Sequence, residues 1–143
     1  KDLDICIFVN LSSHFTIKSK IPSNVKIFST GACINSDNVK YMEPWIEGQN
    51  IIAASDLVIC KCGYGMISEC LTNGTPFLYI SDDSHLEQKA ISDQLEVMGL
   101  ENRITEKDLE GLILNKESIS KIKVKKENNV TESVSNILKE CIY

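Results

Sequence analysis

The sequence is short of most features that mark a metal, nucleic-acid or membrane protein. Histidine occurs twice and tryptophan once in 143 residues. The cysteines, Cys6, Cys33, Cys60, Cys62, Cys70 and Cys141, form no C-x-x-C unit, and two histidines leave little with which to complete a zinc site. No apolar run approaches the roughly 20 residues that a membrane-spanning helix needs. Nor is there a basic excess: the formal net charge of −5 argues against neutralising the phosphates of a nucleic acid. Internal repeat, low-complexity tract and domain-splitting linker are all missing, and no secretory signal is expected.

What remains is the composition of a water-soluble globular domain, 43% hydrophobic and 24% charged. A chain of this length folds as one domain, burying about two-thirds of the surface its unfolded form exposes. Several cysteines sit inside apolar runs, as in Ile5-Cys6-Ile7 and Ile59-Cys60, and are expected to be buried reduced thiols, which points to the cytoplasm. The chain opens at Lys1 without a methionine, so an N-terminal part is expected to have been removed.

Short β-branched apolar runs alternate with stretches of helical period, which predicts an α/β domain with a parallel sheet covered by helices on both faces. Strands are expected at Asp4–Asn10, Asn24–Ser29, Asn38–Met42, Leu57–Cys60 and Phe77–Ile80, and helices from near Trp45, Gly65, His85, Glu106 and Thr131. In the third helix Leu86, Ala90, Ile91, Leu95 and Met98 form an apolar stripe, and Gly99 is placed to end it. Thr105 with Asp108 three positions on has the form of a capping box. The charged run Lys121 to Asn129 reads as a solvated face with no function.

The chemistry concentrates between Asp56 and Gln88. Asp56 to Leu71 reads as a buried strand, a turn bearing Gly63 and Gly65, and a helix, so that free helix N–H groups stand at the carboxyl end of a parallel strand, where anions bind in α/β sheets. Asn73-Gly74-Thr75-Pro76, a second buried strand, a polar loop and His85-Leu86-Glu87-Gln88 follow in order.

That succession from Ala54 to Leu100 resembles the C-terminal, donor-binding half of GT-B glycosyltransferases, with a Rossmann-like parallel sheet. It is most similar to the transferase family that adds N-acetylglucosamine to the lipid-linked peptidoglycan precursor and to the UDP-glycosyltransferase families. The resemblance implies a single nucleotide-sugar-binding domain over residues 1–143, a fragment of a longer two-domain protein whose other half, or a separate subunit, binds the acceptor. Hexosyl or N-acetylhexosaminyl transfer from a UDP-sugar is implied, with no cofactor, no metal and no catalytic side chain from this half. The fragment alone is expected to be inactive, and the missing half would supply any peripheral membrane association.

Residue by residue, the resemblance assigns Trp45, Ile46, Gly63, Gly65, Met66, Ser68 and Glu69 to the nucleotide, and His85, Glu87 and Gln88 to the sugar. The chemistry of the residues agrees: a carboxylate such as Glu69 can accept two hydrogen bonds from the ribose diol, and the Gln88 amide offers donors and acceptors to a polyol. Trp45 also suits a buried core position, and Glu87 also suits dipole compensation in a first helical turn. The pattern departs from the family where Lys61 stands in place of a histidine and Met66 and Ile67 in place of hydroxyl residues. The opening strand and glycine-rich loop that begin such domains are expected to be missing. A nucleotide-sugar hydrolase or epimerase on the same fold, with His85 as its base, and a non-catalytic nucleotide-sugar-binding module are the alternatives.

Overall fold

The computed structural model describes residues 4–43, 48–100 and 102–122. In chain order these form β1 (Ile5–Asn10), β2 (Thr16–Ile17), β3 (Val25–Ser29), β4 (Cys33–Ile34), β5 (Val39–Tyr41), α1 (Gly48–Ala54), β6 (Leu57–Lys61), α2 (Tyr64–Asn73), β7 (Phe77–Ile80), α3 (Leu86–Val97), α4 (Glu106–Glu110) and α5 (Lys116–Ser120). The α/β class and all five expected strands are present. The helix start expected near Trp45 and the helix expected from Thr131 lie outside the described residues, as does Cys141.

Five strands form one parallel sheet in the order β5-β3-β1-β6-β7. Both faces of its central strands are covered, which is why those strands read as continuous apolar runs rather than as alternations. Register aligns Val39, Ile27, Ile7 and Leu57 in one row across four strands, and Phe28, Phe8, Val58 and Phe77 in the next. Because successive side chains point to opposite faces, the first row enters one core and the second row the other. The second core is closed by Ile52 of α1, Ile67, Cys70 and Leu71 of α2, and Ile91 and Leu95 of α3. Each buried aliphatic side chain there contributes about 1.5–3 kcal/mol relative to exposure.

The other face is covered differently. A small parallel pair, β2 with β4, inserts Ile17 and Ile34 into the core, and α4 and α5 add Leu109 and Ile119. Among the described residues, no helix joins β1 to β3; β2 lies in that connection.

The opening strand expected to be missing is in place. β1 holds the centre of the sheet, β3 and β5 follow on one side, and β6 and β7 lie on the other. The loop after it runs Leu11-Ser12-Ser13-His14-Phe15 without a glycine, as expected. A second correction concerns α3, where Leu86 is 67% exposed while Ala90, Ile91 and Leu95 are buried. Leu86 opens the helix at the carboxyl edge of the sheet, and the apolar stripe starts a turn later. A third concerns the thiols: Cys60, Cys62 and Cys70 are buried, but Cys6, expected to be buried in its apolar run, is only partly so, and Cys33 is exposed at the start of β4.

Caps and turns agree with the local sequence. Gly74 ends α2 at φ 66°, a left-handed conformation that glycine adopts without strain, and its N–H bonds back to the last turn. Gly99, at φ 81°, follows Met98 at the end of α3. Thr105 accepts from the Asp108 N–H while Asp108 accepts from the Thr105 N–H, a complete capping box.

Candidate functional site

In a doubly wound sheet, ligands bind outside the carboxyl ends of the strands where the strand order reverses. Here that reversal falls between β1 and β6, because the chain moves outward from β1 through β3 and β5 and returns to the far side of β1 with β6. Asn10 ends one strand of the pair and Lys61, which is exposed, ends the other.

Asp56, the acidic residue that opens the motif, fixes this pair rather than facing a ligand. Its carboxylate accepts from the Cys6 N–H at 2.8 Å, and its own N–H donates to the Cys6 carbonyl at 2.8 Å. The clamp sits at the amino end of the pair, opposite the crevice.

After Lys61 the chain turns through Cys62 and Gly63 into α2. The Cys62 N–H donates to the Ile80 carbonyl, so the turn is anchored to β7. Gly63 is the N-cap at φ −108°, ψ 149°, and no side chain caps the helix. A Cβ on Gly63 or on Gly65 would meet nothing within 4 Å. Neither glycine has a positive φ, so the turn itself does not depend on them; what they leave is open space above the first turn. α3 is likewise without a side-chain cap at His85, whereas α4 and α5, which pack into the other core, are capped by Thr105 and Asn115. The two helices that begin at the carboxyl edge thus keep first-turn N–H groups uncapped by side chains.

The expected nucleotide residues are distributed along α2. Glu69 is half-buried, one turn on from Gly65 and on the same flank, and its carboxylate bonds to no described residue. The Ser68 hydroxyl donates to the Gly65 carbonyl at 3.1 Å, so its one donor is engaged within the helix. Met66 packs partly against the second core and Ile67 is fully buried in it, which explains the absence of hydroxyls at these two positions. Trp45 and Ile46 lie outside the described residues.

The expected sugar residues open α3. Gln88 is stitched to both neighbouring strands: its carbonyl accepts from the Cys62 thiol and the Ser81 hydroxyl, each at 3.4 Å, and its side-chain Oε1 accepts from the Asp82 N–H at 2.9 Å. Its amide nitrogen donates to no described residue. Glu87 is exposed in the first turn, and His85 is exposed with Nε2 3.8 Å from the Asp82 carboxylate. Asp82 accepts from the Ser84 hydroxyl and N–H, which hold its pKa below the usual carboxylate value. Asp82 thus bonds within its own turn, whereas Asp83 accepts both from Ser81 in the loop and from Arg103 outside it.

Desolvation by burial pushes the Cys62 and Cys70 thiols up to about 12 and Cys60 well above its ordinary value, so none supplies a thiolate at neutral pH. Arg103 is a residue that motif reasoning missed: it reaches this loop from beyond the motif, bonding Asp83, Ser81 and Ser92. One signal was available, since it is the single arginine of the chain.

The sequence profile of the glycosyltransferase family 28 C-terminal domain matches residues 17–141. The crystal structure of the glycosyltransferase SnogD from Streptomyces nogalater superposes with a TM-score of 0.52 at 15% identity, over 96% of this chain and 44% of that one. At that identity the likeness is one of fold, and the chain spans less than half the length of that structure. No match is found among curated proteins.

Proposed function

Because the chain belongs to the glycosyltransferase family 28 C-terminal domain family, we propose that it is the donor-binding part of a glycosyltransferase and that it holds a UDP-sugar in the crevice between β1 and β6. The observation that carries this reading is the uncapped N-terminus of α2, with open space above Gly63 and Gly65, at the point where the strand order reverses. A diphosphate there accepts from the first-turn N–H groups and lies at the positive end of the helix dipole.

In this reading Glu69 takes the ribose diol, Gln88 the sugar hydroxyls through its amide nitrogen, which donates to no described residue, and His85 and Glu87 flank the sugar. Gly63, Gly65 and Met66 act through their backbone. Ser68 joins them only by releasing the Gly65 carbonyl, and the base falls to Trp45 and Ile46. As the bond to the sugar breaks, negative charge grows on the departing UDP, and preorganised N–H groups and the exposed Lys61 ammonium stabilise it. The acceptor and the general base belong to an N-terminal half or a partner subunit, so the reaction is a hexosyl or N-acetylhexosaminyl transfer that this domain alone does not complete. No cofactor besides the donor is required, and the cytoplasm, where nucleotide sugars are at hand, is the proposed site of action.

A thermal-shift panel of UDP, UDP-N-acetylglucosamine, UDP-glucose, GDP and TDP-sugars tests the reading. UDP compounds are expected to raise the melting temperature, and Glu69→Ala to remove the response. If no nucleotide shifts the melt, the donor site is refuted. Product analysis on the full-length protein then separates transfer from hydrolysis.

A further inference from the structure

Arg103 enters the site through the backbone. Residues 102–104 run beside the outer edge of β7, where the Tyr79 N–H donates to the Asn102 carbonyl at 3.0 Å and the Ile104 N–H to the Tyr79 carbonyl at 2.9 Å. From that docking the guanidinium reaches the β7–α3 loop. Nη2 donates to the Ser81 carbonyl at 3.2 Å and to the Asp83 carboxylate at 3.1 Å, while Nη1 donates to the Ser92 hydroxyl on α3 at 3.4 Å.

Those acceptors surround the group that orients Gln88. The Gln88 side chain takes its direction from the Asp82 N–H, and the residues on either side of Asp82 are the two that Arg103 holds. Ser81 closes the circuit, its one hydroxyl proton shared between Asp83 Oδ1 at 3.1 Å and the Gln88 carbonyl at 3.4 Å. Three acceptors at different angles call for a planar, forked donor, and lysine supplies a single compact charge instead. Every other basic side chain outside histidine is lysine. The Arg103–Asp83 pair is nearly half exposed on both sides, and exposed pairs add little to global stability. Its effect is therefore local geometry.

We propose that Arg103 is a positioning residue for sugar recognition: by fixing the Ser81–Asp83 turn it aims the Gln88 amide at the donor's hexose, and so sets the preference for a UDP-sugar over UDP. This rests on the donor site proposed above. Arg103 acts through Gln88, and the nucleotide contacts on α2 do not depend on it.

Calorimetric titration of the full-length protein with UDP, UDP-glucose and UDP-N-acetylglucosamine tests the idea. In the parent, at least one sugar nucleotide is expected to bind more tightly than UDP. Arg103→Gln should leave the UDP affinity within about twofold and reduce the sugar advantage about tenfold, the scale of one lost hydrogen bond. Arg103→Lys should show the same loss, and Asp83→Asn a smaller one. In a Gln88→Ala background the Arg103 substitution should add nothing, because the two act in series. Equal weakening of UDP and UDP-sugar, an intact sugar advantage, or additive losses in the double variant would each overturn the proposal. Should Arg103→Gln fail to fold, Arg103→Lys and Asp83→Asn carry the same comparison. Absence of UDP binding in the parent would instead defeat the donor site itself, and UDP binding with no sugar advantage would defeat this inference alone.

Discussion

A Cβ placed on Gly31 would stand 2.5 Å from the carbonyl oxygen of Leu11. Both partners are backbone, with Ser12 backbone atoms at 3.3 Å behind them, so nothing flexible can give way. The approach is held by the Thr30 N–H on the Val9 carbonyl and the Thr30 hydroxyl on Asn10, which tie the end of β3 to the end of β1. Gly31→Ala is therefore expected to lower stability by about 1–3 kcal/mol, the range for overpacked sites. Urea unfolding measures it, with Gly111→Ala as a control, since a Cβ there meets nothing.

Gly63 and Gly65 should behave in the opposite way. Alanine fits both positions, and at Gly65, in the first turn of α2, it gains a part of the roughly 1 kcal/mol by which it exceeds glycine in helix propensity. The melting temperature is expected to be unchanged or higher for Gly65→Ala and unchanged or slightly lower for Gly63→Ala, alanine being a poorer N-cap than glycine, while UDP binding weakens about tenfold in both as the methyl group keeps the diphosphate from the N–H groups. Paired melts and titrations check this. An unchanged affinity in both variants would move the phosphate away from this turn.

Thr105→Ala removes the capping box of α4 and is expected to cost about 1 kcal/mol. Nucleotide titration should be unaffected, because this helix packs on the face away from α2 and α3.

The buried thiols give the protein an alkaline limit. In the unfolded chain they ionise near 9, whereas Cys62 and Cys70 in the fold hold their protons to about 12. Between those values the folded state binds more protons than the unfolded state, so stability falls as pH rises; below about 9 these groups add no pH dependence. Urea midpoints from neutral to alkaline pH should show that decline. A thiol reagent under native conditions should modify the exposed Cys33 ahead of Cys60, Cys62 and Cys70, which react on unfolding.

How much of this was legible in the sequence follows from the range of the forces involved. β1, β3, β5, β6 and β7 announce themselves as apolar runs because sheet burial acts on consecutive residues. β2 and β4 are two residues each and exist through their mutual pairing, which no local run records. α5 carries a single buried residue, Ile119, too little for a visible stripe. The strand-turn-helix around Gly63 could be read because its parts are contiguous. Arg103 could not be placed, since its route to the β7–α3 loop depends on a bridge to Tyr79 some twenty positions earlier. The centrality of β1 was equally hidden, being a property of strand order rather than of composition.

The uncapped starts of α2 and α3 bear on folding as well as on recognition. A helix whose first N–H groups lack side-chain acceptors is a structure left to be finished from solution, and an anion that fills the crevice would act as its capping residue. Saturating ligand at a hundredfold over its Kd would then add about 2.7 kcal/mol to the stability of the whole domain. Amide protons in the first turns of both helices would slow in hydrogen exchange at the same time. The domain would be most resistant to unfolding and proteolysis when loaded, so that the supply of sugar nucleotide in the cell would also govern how long the protein lasts.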